Sequence, residues 1–314
     1  MESFDTKKLV ELVRQEFPEL ELTVARDFLG EDLYHFQVSG ELASGFGTHL
    51  DQRTAFLKSF SEYIERLTMK HHGFRSSNGI AAHPLNSSAR KGSINELIER
   101  DVFLSSWLAG RGPKWLADSE ISVYVSERGQ NQIERLRGQN LHLQLGISGV
   151  LNGILVVVSA LTGLRFKFPF GVSVTTAAGE NLMEALDSVI MNQRRVPTQV
   201  INSHKQGVMP IACNAVSSPA DHQLYYLVPD RVESMDWFLR SSREVSVFPD
   251  LEIISEPLKI PVKTPWSMSV YRSHSAFAQQ YFVGKTGKRV WNESRILTLI
   301  DDLGFVNHQL HPLP

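Results

Sequence analysis

Cysteine is nearly missing from this chain: Cys213 is the only one in 314 residues. That excludes an intrachain disulfide and a thiolate zinc site, and a lone thiol reads first as a small buried side chain. A long apolar run is missing as well. The most hydrophobic stretch, Ile154 to Leu161, is too short to span a bilayer, and its valines suit a buried strand. Met1 to Glu11 is charged and has no apolar signal core, so a soluble cytoplasmic protein is the expectation. Neither sign of charge is in excess, with 32 Lys and Arg against 34 Asp and Glu and no long run of either. That balance argues against an extended footprint for nucleic acid or for an anionic membrane. Low-complexity linkers and solenoid periods are absent too, which leaves one compact unit over residues 1–314 as the simplest expectation.

The familiar glycine signatures for phosphate are also lacking. Gly284-Lys-Thr-Gly-Lys288 resembles a phosphate loop, but the position five before its Gly-Lys pair is Gln279 rather than glycine. Gly146, Gly149 and Gly153 lack the initial Gly-x-Gly of a dinucleotide fingerprint. His71-His72 has no third histidine or carboxylate at metal-ligand spacing, and there is no Gly-x-Ser-x-Gly nucleophile elbow.

What is present is a mixture of periods. Helical spacing predicts helices over Thr6–Phe17, about twenty residues from Asp51, Ser88–Leu108, Ala177–Gln193, Arg231–Leu239 and Asn292–Asp302. Strand alternation predicts Leu20–Val24, Leu33–Val38, Ile121–Val125, Leu141–Leu145, Ile154–Ala160, Val172–Thr175, Leu224–Val228 and Met268–Tyr271. Gly45 to His49 reads as a glycine loop, Ser76 to Gly79 as a turn, Pro84 to Ser88 as a second loop, and Val306 to Pro314 as a loose tail. The fold class expected is mixed α/β (α+β), with mixed sheets and packed helices.

Two near-copies of one phrase stand out within this frame: Glu62-Tyr-Ile-Glu65-Arg66 and Glu96-Leu-Ile-Glu99-Arg100. Each puts two carboxylates one helical turn apart on one face, followed by an arginine. Four carboxylates suit a hard divalent cation such as Mg2+, and two arginines can grip phosphate oxygens. A solvated helix face would carry the same residue types, since all four glutamates fall away from the Leu57/Phe60/Ile64 and Ile94/Leu97/Ile98 stripes. Residue chemistry alone leaves both interpretations standing.

The order of the pieces resembles the YcaO family. Its members share a glycine loop (here Gly45 to Gly47), a helix with Glu-x-x-Glu-Arg (Glu62 to Arg66), a Ser-Ser-Asn-Gly-x-Ala-Ala turn (Ser76 to Ala82) and a second helix reading Glu-Leu-Ile-Glu-Arg-Asp (Glu96 to Asp101). The likeness is close from about Gly45 to Trp107 and diffuse elsewhere. It implies a YcaO-like fold and an ATP-using enzyme that activates backbone amides of a ribosomally made precursor peptide. In such enzymes a neighbouring Cys, Ser or Thr attacks the amide carbonyl, the oxyanion takes the γ-phosphoryl of ATP, and phosphate leaves. The product is an azoline or, in relatives, a thioamide or amidine.

Carried onto this chain, the resemblance implies Glu62, Glu65, Glu96 and Glu99 as Mg2+ ligands beside ATP. Arg100 would neutralise charge on the transferring phosphoryl group, Arg66 would assist it or brace the carboxylates, and Ser76 and Asn78 would sit at the nucleotide or substrate mouth. Gln193 and Arg194 match a later family helix loosely and are assigned to the nucleotide. The ending His311-Pro312-Leu313-Pro314 resembles the proline-rich tail of azoline-forming members, which places Pro314 among the catalytic residues. The implied partners are a leader-binding protein resembling ubiquitin-activating enzymes, a dehydrogenase in a larger complex, and a second copy of the chain or other subunits. Departures exist: Ser88 stands before Ala89 where the family often has a carboxylate, and His83-Pro84 replaces a Gly-Asn pair. They keep open a non-catalytic copy that binds nucleotide or peptide, alongside the thioamide- or amidine-forming alternative.

Overall fold

Two glycines decide how the first part of the chain packs. In the computed structural model, which describes residues 6–26, 33–163, 170–196, 201, 215–226, 228–284, 291–300 and 306–313, the predicted glycine loop is a strand, β3 (Ser44–His49). A Cβ on Gly45 would lie 2.0 Å from the Ser59 carbonyl oxygen, and one on Gly47 would lie 1.9 Å from that of Ala55. The missing side chains therefore let a helix backbone rest directly on the strand, which is a packing use of glycine rather than a phosphate-binding one. That helix, α2 (Gln52–His71), starts where the sequence predicts it: Asp51 caps it, accepting hydrogen bonds from the Thr54 N–H at 2.8 Å and hydroxyl at 2.6 Å. These bonds hold the Asp51 carboxyl below its ordinary range.

By contact the chain divides into two compact units, residues 1–97 with 253–274, and residues 98–252 with 275–314. In the first, α1 (Thr6–Glu16) precedes the antiparallel sheet β1 (Glu21–Arg26), β2 (Tyr34–Ser39) and β3. A second antiparallel sheet joins β10 (Ile254–Leu258), β11 (Ser269–His274) and β4 (Ile80–His83). Phe56, Phe60 and Ile64 of α2 pack with Leu9, Val13, Phe36, Val38 and Val270 to form its core. The 23-residue helix α3 (Asn86–Leu108) starts in this unit and ends in the other.

The second unit is built on β5 (Lys114–Trp115), β6 (His142–Leu151), β7 (Ile154–Thr162) and β8 (Val172–Gly179), paired antiparallel in that order, with β9 (Ser246–Val247) parallel to β6. Alternation along β7 sends Val158 and Ala160 to one core with Phe103, Trp107 and Phe238. Val157 and Leu161 go to another core with Leu143, Val189 and Ile190 of α6 (Leu182–Arg194). Both faces are covered, which is why this strand reads as an apolar run broken only by Ser159. The mixed α/β class is as expected.

Several boundaries differ from the predicted ones. Ile121–Tyr124 is helical, the end of α4 (Asp118–Tyr124), because Glu120 accepts the Ala117 N–H at 2.8 Å and acidic residues stand in the first turn. Helix α5 (Glu127–Arg137) follows, capped by Ser126. Leu224 to Tyr226 ends the helix Pro219–Tyr226 instead of starting a strand. Asp221 accepts the N–H groups of Ser217 and Ser218, a helix-start arrangement that prevails over the apolar alternation. Residues 229–239 form two short 3-10 turns and one helical turn where one helix over 231–239 is expected, and the helix predicted from Asn292 is only Glu293–Ile296 among the described residues. The second loop is shorter than predicted, since α3 already begins at Asn86. Cys213, residues 285–288 of the glycine-lysine turn and Pro314 lie outside the described residues.

Candidate active site

The first phrase lies on the half-buried flank of α2. The Phe46 N–H, between the two strand glycines, donates to Glu62 Oε2 at 2.6 Å, and Arg66 pairs with Glu62 Oε1 at 2.5 Å. Arg66 also donates to the Ser44 carbonyl at 3.0 Å and lies over the Phe46 ring at 5.9 Å. Arg66 thus links the Glu62 carboxylate to the β3 backbone. Glu65 is one turn position further on and half-buried, so neither glutamate belongs to a fully solvated face.

The turn Ser76 to Gly79 is as predicted. Ser76 Oγ accepts the Asn78 N–H at 3.0 Å, and Asn78 Oδ1 is buried with no hydrogen-bond partner. Gly79 has φ +73° and approaches β11 so closely that a Cβ would sit 2.3 Å from the Ser273 carbonyl. Ser273 in turn bonds Ser93 of α3 and Ser255 of β10, each at 2.7 Å between hydroxyl oxygens, so the turn and the start of α3 are joined through buried hydroxyls. His83 Nδ1 accepts the Leu85 N–H at 2.9 Å, and burial pushes its pKa down. The His-Pro departure thus serves as the entry turn of α3.

Along α3, Glu96 and Glu99 stand one turn apart, both half-buried. Thr176 of β8 donates its hydroxyl to Glu99 Oε1 at 2.6 Å, fixing that carboxylate from the sheet. Arg100 lies over the ring of Tyr281 at 5.6 Å from its centroid. Asp101, the last residue of the phrase, is wholly buried. Arg295 reaches it through two nitrogens, the shortest pair at 2.5 Å, and the Gln279 N–H adds a bond at 2.6 Å. Burial pushes the Asp101 pKa up against the pull of Arg295. Tyr281 also borders a cleft of about 400 Å³ with Gln280, Trp291 and Glu293.

Gln193 and Arg194 are fully buried on α6. The Gln193 amide donates to the carbonyls of Ser159 at 3.2 Å and Ser173 at 2.9 Å, tying the helix to β7 and β8. The tail is docked rather than loose over its described part. Val306, Leu310 and Leu313 join the core with Trp107, whose indole donates to the Gln309 carbonyl at 3.1 Å. Tyr226 donates its hydroxyl to the Leu310 carbonyl, and the rings of His222 and His311 stack at 4.2 Å.

Glu62, Glu65, Glu96, Ser76 and Asn78 thus belong to the first unit, and Glu99, Arg100, Gln193 and Arg194 to the second. Within each unit, among the described residues, no three His, Cys, Asp or Glu side chains group closely enough to hold a metal ion. The donors themselves, four carboxylates, have the hard-oxygen chemistry Mg2+ requires. Sequence reasoning missed Thr176, Tyr281, Arg295 and the histidine pair. Asp101 was visible as the end of the phrase and His311 as the start of the proline-rich ending; Thr176, Tyr281, Arg295 and His222 lie in stretches without any motif.

No protein-family model matches this chain, and no curated protein does. Solved structures do. A YcaO protein from Methanopyrus kandleri, bound with AMPPCP and Mg2+, superposes with a TM-score of 0.62 over 91% of this chain and 96% of that one, at 12% identity. A heterocyclase in complex with substrate and cofactor gives 0.68 at 10% identity, covering 96% of this chain and 57% of that one. The E. coli microcin synthetase McbBCD complex with pro-MccB17 bound gives 0.60 at 10% identity, over 82% and 88%. The chain is thus a mixed α/β protein with the YcaO fold. No helix among the described residues is long and apolar enough to cross a membrane.

Proposed function

We propose that the chain is an ATP-dependent cyclodehydratase subunit that converts Cys, Ser or Thr of a ribosomal precursor peptide to azolines. The observation that carries this is the state of the two acidic phrases in a YcaO fold: all four glutamates are half-buried, and Glu62 and Glu99 are each held by a hydrogen bond from a strand. Solvated surface carboxylates have no need of such support. The names of the similar structures add to it, since two are of a heterocyclase and a microcin synthetase and one holds a nucleotide analogue with Mg2+.

In this mechanism the substrate's thiol or hydroxyl attacks the preceding amide carbon. That attack closes the ring; the carbonyl oxygen gains the electron pair and takes the γ-phosphoryl group of ATP, leaving ADP, and phosphate then departs with that oxygen as the nitrogen loses its proton and forms the C=N bond, a net loss of water from the peptide. Glu62, Glu65, Glu96 and Glu99 would hold Mg2+, which supplies charge neutralisation on the phosphates. Arg66 keeps Glu62 in place. Arg100 offsets charge on the transferring group, where electrostatic preorganisation contributes most. Delivery of the peptide falls to a leader-binding partner, and a dehydrogenase would act on the azoline afterwards. Ser76 and Asn78 line the mouth, with Pro314 at the end of the tail; Gln193 and Arg194 support the nucleotide side from within α6.

A scaffold that binds nucleotide or peptide without turnover is the second reading. It is favoured by Ser88 in place of a carboxylate and by the commitment of both Glu62 oxygens to protein partners. One experiment separates them. The protein is mixed with Mg2+–ATP, sulfide, a Cys-, Ser- and Thr-rich precursor peptide and a leader-binding protein, while phosphate and peptide mass are followed. Phosphate release matched by loss of one water per ring supports the cyclodehydratase. Exchange of the amide oxygen for sulfur from the added sulfide moves the reaction to thioamide formation, and binding without any turnover leaves the scaffold.

A further inference from the structure

We propose that Tyr281 is a positioning residue for Arg100, held in register by the docked tail; the inference rests on the role given to Arg100 above. Tyr281 lies in a segment with no motif and no regular secondary structure, so only its contacts speak for it. One contact is the Arg100 guanidinium, 5.6 Å from the ring centroid, within the range where a cation is attracted to an aromatic face. Another is His311 of the tail, whose ring centroid is 5.4 Å away at an interplanar angle of 65°.

His311 is itself immobilised. It is fully buried, its Nε2 bonds the Phe282 carbonyl at 2.8 Å, and it stacks on His222 at 4.2 Å and 16°. His222 accepts the Gly284 N–H on Nε2 at 2.9 Å, so its proton is on Nδ1, donated to the His311 carbonyl at 2.7 Å. His222 is therefore neutral in this arrangement, and burial pushes the pKa of both imidazoles down, well down for His311. They brace the tyrosine without bringing a second positive charge up to Arg100. A chain of contacts thus runs from His222 through His311 and Tyr281 to Arg100.

The phenol itself is not what holds the arginine. Its hydroxyl is buried with no hydrogen-bond partner, and burial raises its pKa to about 12, so it stays protonated. The aromatic face is the working part. An arginine side chain has much rotamer freedom to lose when ordered, and a ring beneath the planar guanidinium limits that loss before the transition state is reached.

The test measures steady-state phosphate release from Mg2+–ATP with a Cys-, Ser- and Thr-rich precursor peptide and a leader-binding protein. Tyr281→Leu is expected to lower kcat about tenfold with KM for ATP and peptide little changed, and Tyr281→Phe, which keeps the ring, to restore kcat to within about twofold. In an Arg100→Ala background the Tyr281→Leu change should add no further loss, because it acts through the missing group. Where Tyr281→Leu does not melt cooperatively, Tyr281→Met fills the volume without a ring and is read the same way. A fully active Tyr281→Leu beside an inactive Arg100→Ala overturns this inference alone. So does a rise confined to KM for the peptide, which would make the ring a substrate contact, and so does a full additional loss in the double variant. An Arg100→Ala protein as active as the parent overturns the reading of Arg100 and the inference with it.

Discussion

Asp101 and Glu99 share one helical phrase yet call for opposite outcomes when changed. Asp101 is buried with Arg295 and has no solvent to fall back on. Removing one member of such a pair strands a charge, so Asp101→Ala should lower stability by about 3–5 kcal/mol, read as a reduced urea midpoint at unchanged slope. Glu99 is half-buried and bonded by one threonine hydroxyl. Glu99→Gln keeps its size and its capacity to accept that bond, so melting should be unchanged while peptide-dependent phosphate release is abolished. Undiminished turnover at saturating Mg2+ would remove Glu99 from the ligand set. The two neighbouring acids look alike in the sequence, and their surroundings decide which is structural.

At the scale of elements, the contact between β3 and α2 carries the first phrase. Gly47 has no left-handed φ to account for it; the reason is the Ala55 carbonyl 1.9 Å from where a Cβ would stand. Gly47→Ala must push helix and strand apart, which in a packed interior costs about 1–3 kcal/mol. It should also lengthen the Phe46–Glu62 bond. The expected result is a lower melting temperature together with a raised Mg2+ requirement for turnover. A melting temperature equal to the parent's would mean that the helix shifts freely on the strand. The same contact explains why a glycine-rich stretch was legible as a loop but is a strand: glycine favours turns in isolation, and here tertiary approach of a helix backbone selects it instead. The α4 segment shows the converse, with β-branched residues overruled by acidic groups at a helix start.

At the scale of the whole molecule, the tail ties the end of the chain to the Trp107 core of the second unit. Leu313 is nearly fully buried, so trimming from Leu313 onward should cost about 1.5–3 kcal/mol in stability, measurable by denaturant unfolding. Loss of turnover beyond what the remaining folded fraction explains would extend the tail's role to the reaction, whereas activity in proportion to folding would limit it to packing. Acid acts on the same region. His222 and His311 have pKa values below the ordinary imidazole value of about 6.5 because burial disfavours their charge. The unfolded chain then binds more protons as pH falls, so their contribution is intact above about pH 6.5 and lost progressively below it. The melting temperature should therefore drop between about pH 7.5 and about pH 5.5, and less in a His311→Phe variant. An equal drop in both proteins would place the acid sensitivity elsewhere.

Local chemistry by itself determined the elements whose signals are short-range: the Asp51 cap and 20-residue length of α2, the turn at Ser76 to Gly79, the strand core of β7, and the pairing of two acidic phrases with two helices. Hydrogen bonds within a turn and apolar periodicity within a helix need no distant partner, so they are legible from neighbours alone. Tertiary structure decided what those residues touch. Glu62 meets a strand amide 16 positions earlier in the chain, Asp101 meets an arginine 194 positions later, and Trp107 meets a tail 202 positions away. Such contacts follow from how whole elements pack, a global balance of burial against chain entropy that no local spacing records.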